Sequence, residues 1–164
     1  EDITMWPSSN EPIERSRRRF VTSPKIADAA RRSQKRFKDD AKKILLEAVK
    51  SQDVFQIREI LNSNPELINT KLDEIGSRAL HLAADMSNNI VLEVLLELGA
   101  DISCLDKDGN TALHNAAVSD AVPCIQALLR NGASKKCRNE DSYTPLNLAE
   151  HFGSRHAIYE LSNH

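Results

Sequence analysis

The chain has 164 residues, a formal net charge of −2, 28% charged residues and only 4% aromatic residues. So few aromatic residues argue against a base-stacking platform for single-stranded nucleic acid, and no apolar run approaches the roughly 18 residues of a membrane-spanning helix. Residues 1–38 carry ten Lys/Arg and five Asp/Glu, a net of +5, whereas residues 39–164 carry twelve and nineteen, a net of −7. A basic arm therefore precedes an acidic body.

The start of the chain and its cysteines bear on the compartment. The first residues, EDITMWPSSNEP, are acidic and polar, unlike a secretory signal peptide, and the absence of an initial Met indicates a fragment or a processed product. Cys104, Cys124 and Cys137 are odd in number and form no CxxC pair. We expect reduced thiols in an intracellular protein of the nucleus, the cytoplasm or both, with no metal and no cofactor.

The arm, residues 1–38, divides into an irregular part and a helical part. Residues 1–22 contain two prolines and a polar SSN stretch. Ser23 is a favourable N-cap and Pro24 a favourable first helical residue. From Ile26 to Ala48, apolar and small residues recur at steps of three or four, which predicts a helix over about 24–50.

The basic residues of the arm allow three functional interpretations. Two basic clusters separated by an eleven-residue gap resemble a bipartite nuclear import signal, formed by Arg18, Arg19, Arg31, Arg32, Lys35 and Arg36. The stretch RFVTSP resembles a phosphopeptide motif bound by 14-3-3 proteins, with Thr22 as phosphate acceptor, and Ser23 before Pro24 resembles a proline-directed kinase site. Binding of RSRRRF to nucleic acid phosphates is disfavoured, because no aromatic residues are interleaved.

The body contains an internal repeat of about 33 residues. The stretch 76–103 aligns with 109–136, which places His81 on His114 and Gly99 on Gly132. A second shift of the same size places the motif ALHNAA of 112–117 on PLNLAE of 145–150. The segment 45–69 matches with an offset about two residues longer and lacks the ALH motif, as an atypical terminal repeat would.

These motifs resemble the ankyrin repeat family, through DxxGxTALHxAA at 106–117, ALHLAA at 79–84, YTPLNLAE at 143–150, and the GA dipeptides that end two units. The resemblance implies an all-α solenoid of helix-turn-helix units with projecting loops. The body, 39–164, divides into an atypical first repeat and three further units at 39–72, 73–105, 106–138 and 139–164. Departures from the family pattern bring local hydrogen bonds and turn geometry into question at Arg78, Ser87, Asp120 and Asn147.

The conspicuous polar pair in this pattern is Thr111 with His114. The pair could be read as a nucleophile beside a general base. The resemblance instead implies that the two side chains hydrogen-bond one unit to the next, and we expect no catalysis. Gly99 and Gly132 fit the left-handed position after a helix. The final stretch HAIYELSNH predicts only a brief second helix in the last unit.

Function in such a stack falls on positions that the repeat does not need. The resemblance places these at the loop tips and on the exposed side of each first helix. The corresponding residues are Glu74, Ile75, Ser77, Asp85, Met86, Lys107, Asp108, Asn110, Val118, Ser119, Glu140, Asp141, Tyr143, His151 and Phe152. Several are apolar and their surroundings are acidic, which favours a protein partner with basic and apolar residues.

The sequence thus predicts a non-catalytic adaptor that binds a partner protein, acts as a monomeric module and is regulated through its arm. Two alternatives stay open. The chain could be the targeting domain of a larger phosphatase, kinase or ubiquitin ligase assembly, or it could form a homo-oligomer through the 24–50 helix.

Overall fold

The structure, a computed structural model, describes residues 24–163. Within this range all regular secondary structure is helical. In chain order the elements are α1 (Pro24–Lys50), α2 (Val54–Ser63), a 3-10 turn (Pro65–Leu67), α3 (Ala79–Asp85), α4 (Asn89–Glu97), α5 (Ala112–Val118), α6 (Val122–Arg130), α7 (Pro145–Phe152) and α8 (Arg155–Asn163). The chain divides into compact units at Gln34/Lys35, and the described part of the first unit is the beginning of α1.

The predicted helix over 24–50 is confirmed as α1. In the second unit, Leu45, Ala48 and Val49 of α1 are buried, because their spacing of three or four residues places them on one helix face. Phe37 and Ile44 belong to the same predicted apolar stripe but are exposed. The proposed N-cap Ser23 lies outside the described residues.

The body is a series of antiparallel helix pairs, which confirms the predicted all-α repeat architecture. In the three units after the first, α3 packs on α5 and α5 on α7, while each first helix also packs on its own second helix. The small residues Ala83, Ala84, Ala116 and Ala117 are fully buried. Their size lets the backbones approach closely, while leucines and isoleucines of the second helices fill the remaining core.

The turns within the helix pairs keep a left-handed residue even where glycine is replaced. Ser87 has φ 55° and Asp120 has φ 51°, and the corresponding Gly153 has φ 72°. Stacking of the helices therefore imposes the turn, at a strain cost of order 1 kcal/mol or more for each non-glycine residue. Gly99 and Gly132 adopt positive φ after α4 and α6, as predicted.

The expectation of a brief final helix is wrong, since α8 has nine residues, the same length as α4 and α6. Two contacts extend it at its start. The carboxylate of Asp120, in the preceding unit, accepts the backbone N–H of Ala157 at 2.7 Å. The hydroxyl of Ser154 donates to the carbonyl of Val118 at 3.0 Å. The burial of Ala157 and Leu161 then fixes the inner face of α8 on the stack.

Candidate functional site

The turns that project between units share one hydrogen-bond pattern. Asp106 Oδ1 accepts the backbone N–H of Asn110 at 2.8 Å. Asp73, 33 residues earlier, accepts the N–H of Ser77 at 2.7 Å, and Asn139, 33 residues later, accepts the corresponding N–H at 2.9 Å. A short side-chain acceptor at this position closes the turn from within. These three side chains therefore have a structural role.

Neighbouring turns are also joined directly through their backbones. The N–H of Lys107 donates to the carbonyl of Ile75 at 3.0 Å, and the N–H of Glu140 donates to the carbonyl of Asp108 at 3.0 Å. These bonds hold successive tips at a fixed spacing. The side chains at the tips are thus presented by an ordered edge, which suits recognition of another surface.

Thr111 and His114 use their polar groups to connect units, as predicted. His114 Nδ1 lies 3.1 Å from the Thr111 backbone nitrogen and 2.9 Å from Thr111 Oγ1, and Nε2 lies 3.1 Å from the carbonyl oxygen of Tyr143. These partners assign the neutral tautomer with the proton on Nε2. The imidazole is fully buried. Thr111 is only 4% exposed, so its hydroxyl and the imidazole that accepts it lie inside the stack, where they serve the fold.

The units with Arg78 and Asn147, where the sequence departs from the repeat pattern, keep parts of this network. His81 Nε2 still reaches the carbonyl oxygen of Asn110, at 3.0 Å, and its Nδ1 receives the backbone N–H of Arg78 at 3.4 Å. Asn147 keeps only the bonds inside its own unit, accepting from the Thr144 backbone at 3.1 Å and from the Thr144 hydroxyl at 2.9 Å. The amide reproduces the side of the imidazole that faces the N-cap residue, and among the described residues no unit follows to which Asn147 could be linked.

The buried imidazoles predict that stability falls in mild acid. Burial lowers the pKa of His81 and His114 below the usual 6.5, against the opposing effect of their hydrogen bonds to backbone carbonyls. The unfolded chain therefore binds protons first as pH falls below 6.5, and stability is lost from there down to the folded-state pKa values. Urea unfolding at about pH 7.5, 6.5 and 5.5 should show little change between the first two and a clear loss at the third, at most about 1.4 kcal/mol per pH unit for each histidine. A His114→Asn variant should show a shallower slope, and an equal slope would contradict the assignment.

A groove of about 480 Å³ runs across the three units after the first. We call it the acidic groove. It is lined by Asp73, Ile75, Ser77, Leu82, Asp85, Asp106, Asp108, Asn110, Asn115, Val118, Asn139, Asp141, Tyr143, Leu148, His151 and Phe152. The loop tips form one wall and the first helices α3, α5 and α7 form the floor. Ten of the fifteen predicted binding residues lie in this lining.

The other five predicted residues lie outside the lining, and one of the ten within it is buried. Glu74, Met86, Lys107, Ser119 and Glu140 do not line the groove among the described contacts, although all except the half-buried Ser119 are exposed. The expectation that Ser77 is exposed is wrong. Only 6% of its surface is accessible, because its backbone closes the turn with Asp73 and Leu72. The hydroxyl of Ser119 donates to the carbonyl of Asp85 at 3.0 Å and so joins two units.

Sequence reasoning missed six lining residues. Three of them, Leu82, Asn115 and Leu148, occupy one position of the 33-residue repeat on the first helices. The other three are the turn acceptors Asp73, Asp106 and Asn139. The repeat register was sufficient to find both rows, because one lining residue in a unit fixes its equivalents in the others.

The end of the groove in the last unit is aromatic. The rings of Tyr143 and His151 stack with centroids 6.2 Å apart, and His151 meets Phe152 edge-on at 5.2 Å. Tyr143 remains 41% exposed and Phe152 60% exposed. Leu148 lies beside them in the lining. Exposed aromatic side chains in ring contact beside the rim of the apolar core can bury an apolar side chain of a partner.

The charge of the groove has one sign among the described residues. Five aspartates line it, and neither Lys nor Arg does. The carboxylates of Asp73 and Asp106 accept hydrogen bonds from backbone N–H groups of their own turns. Asp108 and Asp141 are exposed at the tips, and Asp85 is exposed at the end of α3. These three carboxylates are placed to meet positive charge on a ligand.

A comparison with protein families agrees with this architecture. The family model for ankyrin repeats matches residues 80–164, in three copies. The chain belongs to the ankyrin repeat family. Ankyrin repeats are in general protein–protein interaction modules and are typically non-catalytic. A search of curated proteins gave no match to the ankyrin chain.

The arm of this ankyrin repeat protein is described only in part. Arg31, Arg32, Lys35 and Arg36 are exposed on α1. The other residues of the import-like pattern, Arg18 and Arg19, and the candidate phosphate acceptors Thr22 and Ser23, lie outside the described residues. Nuclear import, phosphorylation and 14-3-3 binding stay predictions.

The cysteines of the ankyrin repeats differ in accessibility. Burial raises the pKa of the Cys104 thiol to about 11 and that of Cys124 to about 11, the latter with a contribution from Glu93. Cys137 is partly exposed. We expect a thiol-specific reagent such as dithionitrobenzoate to modify one cysteine rapidly in the folded protein and the other two only after unfolding. Rapid native modification of two or three thiols, counted by absorbance and located by mass spectrometry, would contradict the burial.

Two further properties hold for the residues that the structure describes. No group of three or more His, Cys, Asp or Glu side chains is arranged to hold a metal ion. Among the same residues, every helix is too short or too polar to cross a bilayer.

Proposed function

We propose that this chain is a non-catalytic adaptor whose acidic groove binds an extended segment of a partner protein that carries Lys or Arg next to large apolar side chains. The apolar side chains would contact Tyr143, Leu148 and Phe152, and the basic side chains would meet the exposed aspartates. A role in the nucleus and control by phosphorylation of the arm belong to the same proposal, on the arm sequence alone.

One observation carries the proposal. The polar groups that the repeat requires are engaged within the fold, whereas Asp85, Asp108, Asp141 and two aromatic residues face the groove and remain exposed. Aromatic side chains in a partly enclosed site contribute a large share of binding free energy at protein interfaces. Carboxylates around them select against acidic ligands.

The test uses the full chain as bait for a displayed library of random peptides of about twelve residues. We expect the selected peptides to combine Lys or Arg with aromatic or large aliphatic residues. Tyr143→Ser with Phe152→Ser should weaken binding of such a peptide by about tenfold or more in calorimetry. Circular dichroism and urea unfolding should change little, because Phe152 is 60% exposed and Tyr143 41% exposed, and neither belongs to the buried core.

A control removes two aromatic residues of the same types that are more exposed and do not line the groove. Phe55 is 78% exposed on α2 and Tyr159 is 69% exposed on α8. Phe55→Ser with Tyr159→Ser should leave peptide affinity unchanged. Equal losses in both double variants, or selection of acidic peptides that depend on Tyr143 and Phe152, would refute this binding mode.

A further inference from the structure

A second groove, separate from the acidic groove, lies at the C-terminal end of α6 and along the loop that follows it. Its volume is about 610 Å³. Leu129 and Ala133 give its lining an apolar part, and both are half-buried. Arg130, Lys135 and Lys136 also line it. No residue is shared between the described linings of the two grooves. We call this second site the basic groove.

The cations of the basic groove are only partly neutralised. Arg130 Nη2 lies 3.1 Å from the Glu93 carboxylate, yet the Arg130 side chain is 70% exposed. Lys135 Nζ donates to the carbonyl of Leu161 at 3.3 Å. Within the part of the chain that the structure describes, the ammonium of Lys136 forms no ion pair. Neither Asp nor Glu belongs to the described lining.

An acidic group nevertheless lies close to the groove. Gln126, which also lines it, donates to Glu160 Oε1 at 2.9 Å. Glu93 and Glu160 thus flank the site, and both already engage protein side chains. An incoming carboxylate would meet the exposed face of Arg130 and the ammonium of Lys136 first.

The positive charge is not a requirement of the repeat. Thirty-three residues earlier the apolar position of Leu129 is also a leucine, whereas Glu97 stands in place of Arg130 and Ser103 in place of Lys136. Both units form the same helix and the same left-handed glycine turn. The fold therefore accepts either sign of charge here, and the cations of the later unit are free to serve recognition.

We propose that the basic groove binds a segment of a partner protein in which Asp or Glu side chains flank a leucine-sized apolar side chain. The apolar side chain would pack on Leu129 and Ala133, and the carboxylates would pair with Arg130 and Lys136. The apolar part of the lining favours such a segment over a polyanion that offers charge alone. Because the two grooves prefer ligands of opposite charge, one ankyrin domain would hold two different segments together.

The experiment selects acidic ligands from a random peptide library on the full chain and measures their affinity by calorimetry. We expect peptides with Asp or Glu beside Leu, Ile or Phe, and an affinity loss of about tenfold in Lys136→Glu. Lys136→Arg should restore binding. The matched control is Lys107→Glu, the same charge change on an exposed lysine at a loop tip, which should leave affinity within about twofold.

Several results would overturn the proposal. The first is that no peptides combining acidic and apolar residues are selected, and the second is that Lys136→Glu binds them as tightly as the unchanged chain. The third is that a peptide whose apolar residues are replaced by serine binds as tightly as the selected peptide. The fourth is that a short single-stranded DNA binds as tightly as the peptide and depends on Lys136. Tyr143→Ser with Phe152→Ser should leave the acidic peptides bound. Loss of the proposed function at the acidic groove would therefore be distinguishable from failure of this one.

Discussion

Replacing His114 with alanine is expected to lower the free energy of unfolding by about 2–4 kcal/mol. The substitution removes the acceptor of the Thr111 backbone N–H and hydroxyl, and it removes the donor to the carbonyl of Tyr143. The Thr111 N–H loses its acceptor, and an unsatisfied buried polar group costs about 1–3 kcal/mol. The Tyr143 carbonyl keeps the bond that it accepts from the Asn139 N–H at 3.0 Å, and the lost packing of the buried ring adds the rest. Urea unfolding followed by circular dichroism measures the loss.

A second variant separates the bonds within the unit from the bond between units. His114→Asn should behave like the natural Asn147, whose amide oxygen accepts from Thr144. It should recover part of the lost stability and leave the link to Tyr143 broken. If alanine costs less than about 1 kcal/mol, or if asparagine recovers the whole of the loss, the link from the imidazole to Tyr143 does not stabilise the stack.

Replacing Gly109 with alanine is expected to destabilise the protein by about 2–3 kcal/mol, with the effect centred on the loop tips. Gly109 has φ +74°, a conformation that costs a side chain about 1 kcal/mol or more. A Cβ there would also lie 2.9 Å from the backbone nitrogen of Glu140, which donates to Asp108 across the units. The clash is with backbone, so no side-chain rotation relieves it.

Gly132→Ala supplies the matched control for backbone strain alone. Its φ is +89°, and a Cβ would meet no atom within 4 Å. We expect this variant to lose only about 1 kcal/mol. Hydrogen exchange of the amides of Lys107 and Glu140 should accelerate in Gly109→Ala and not in Gly132→Ala. Equal unfolding midpoints for the two variants would show that the close approach of the turns contributes nothing.

The sequence allowed the helix pairs and the structural role of His114 to be predicted because these features recur with a fixed period. A repeated His-to-carbonyl link can be inferred from register alone, since the same contact is expected wherever the histidine recurs, as at His81 and His114. The length of α8 could not be read in this way. The first turn of α8 is held by Asp120 of the preceding unit, which replaces the usual turn glycine and accepts a bond from the Ala157 N–H. A contact with a residue 37 positions earlier cannot be predicted from the composition of the last residues alone.

The acidic groove was predicted in outline, and its errors have a physical cause. Ser77 occupies the same repeat position as Tyr143, and only the length of the tyrosine side chain carries it out of the turn. The position of a residue in the repeat therefore fixes the direction of its side chain but not the fraction of that side chain that is exposed. The basic groove was not anticipated, because its residues are scattered over a helix end and a loop. Only the structure shows that Arg130 and Lys136 line the same groove as the apolar Leu129 and Ala133.

The backbone bonds between successive tips give the body a mechanical property. Each of these bonds, and each histidine link, connects one unit only to the next, so the connections are in series. Tension applied along such a stack would open one junction without requiring the others to yield. A ligand lying along the acidic groove would contact three units at once. Its contacts would resist the separation of those units together with the bonds at the junctions. With the groove occupied, the three units would then unfold together under tension rather than one after another.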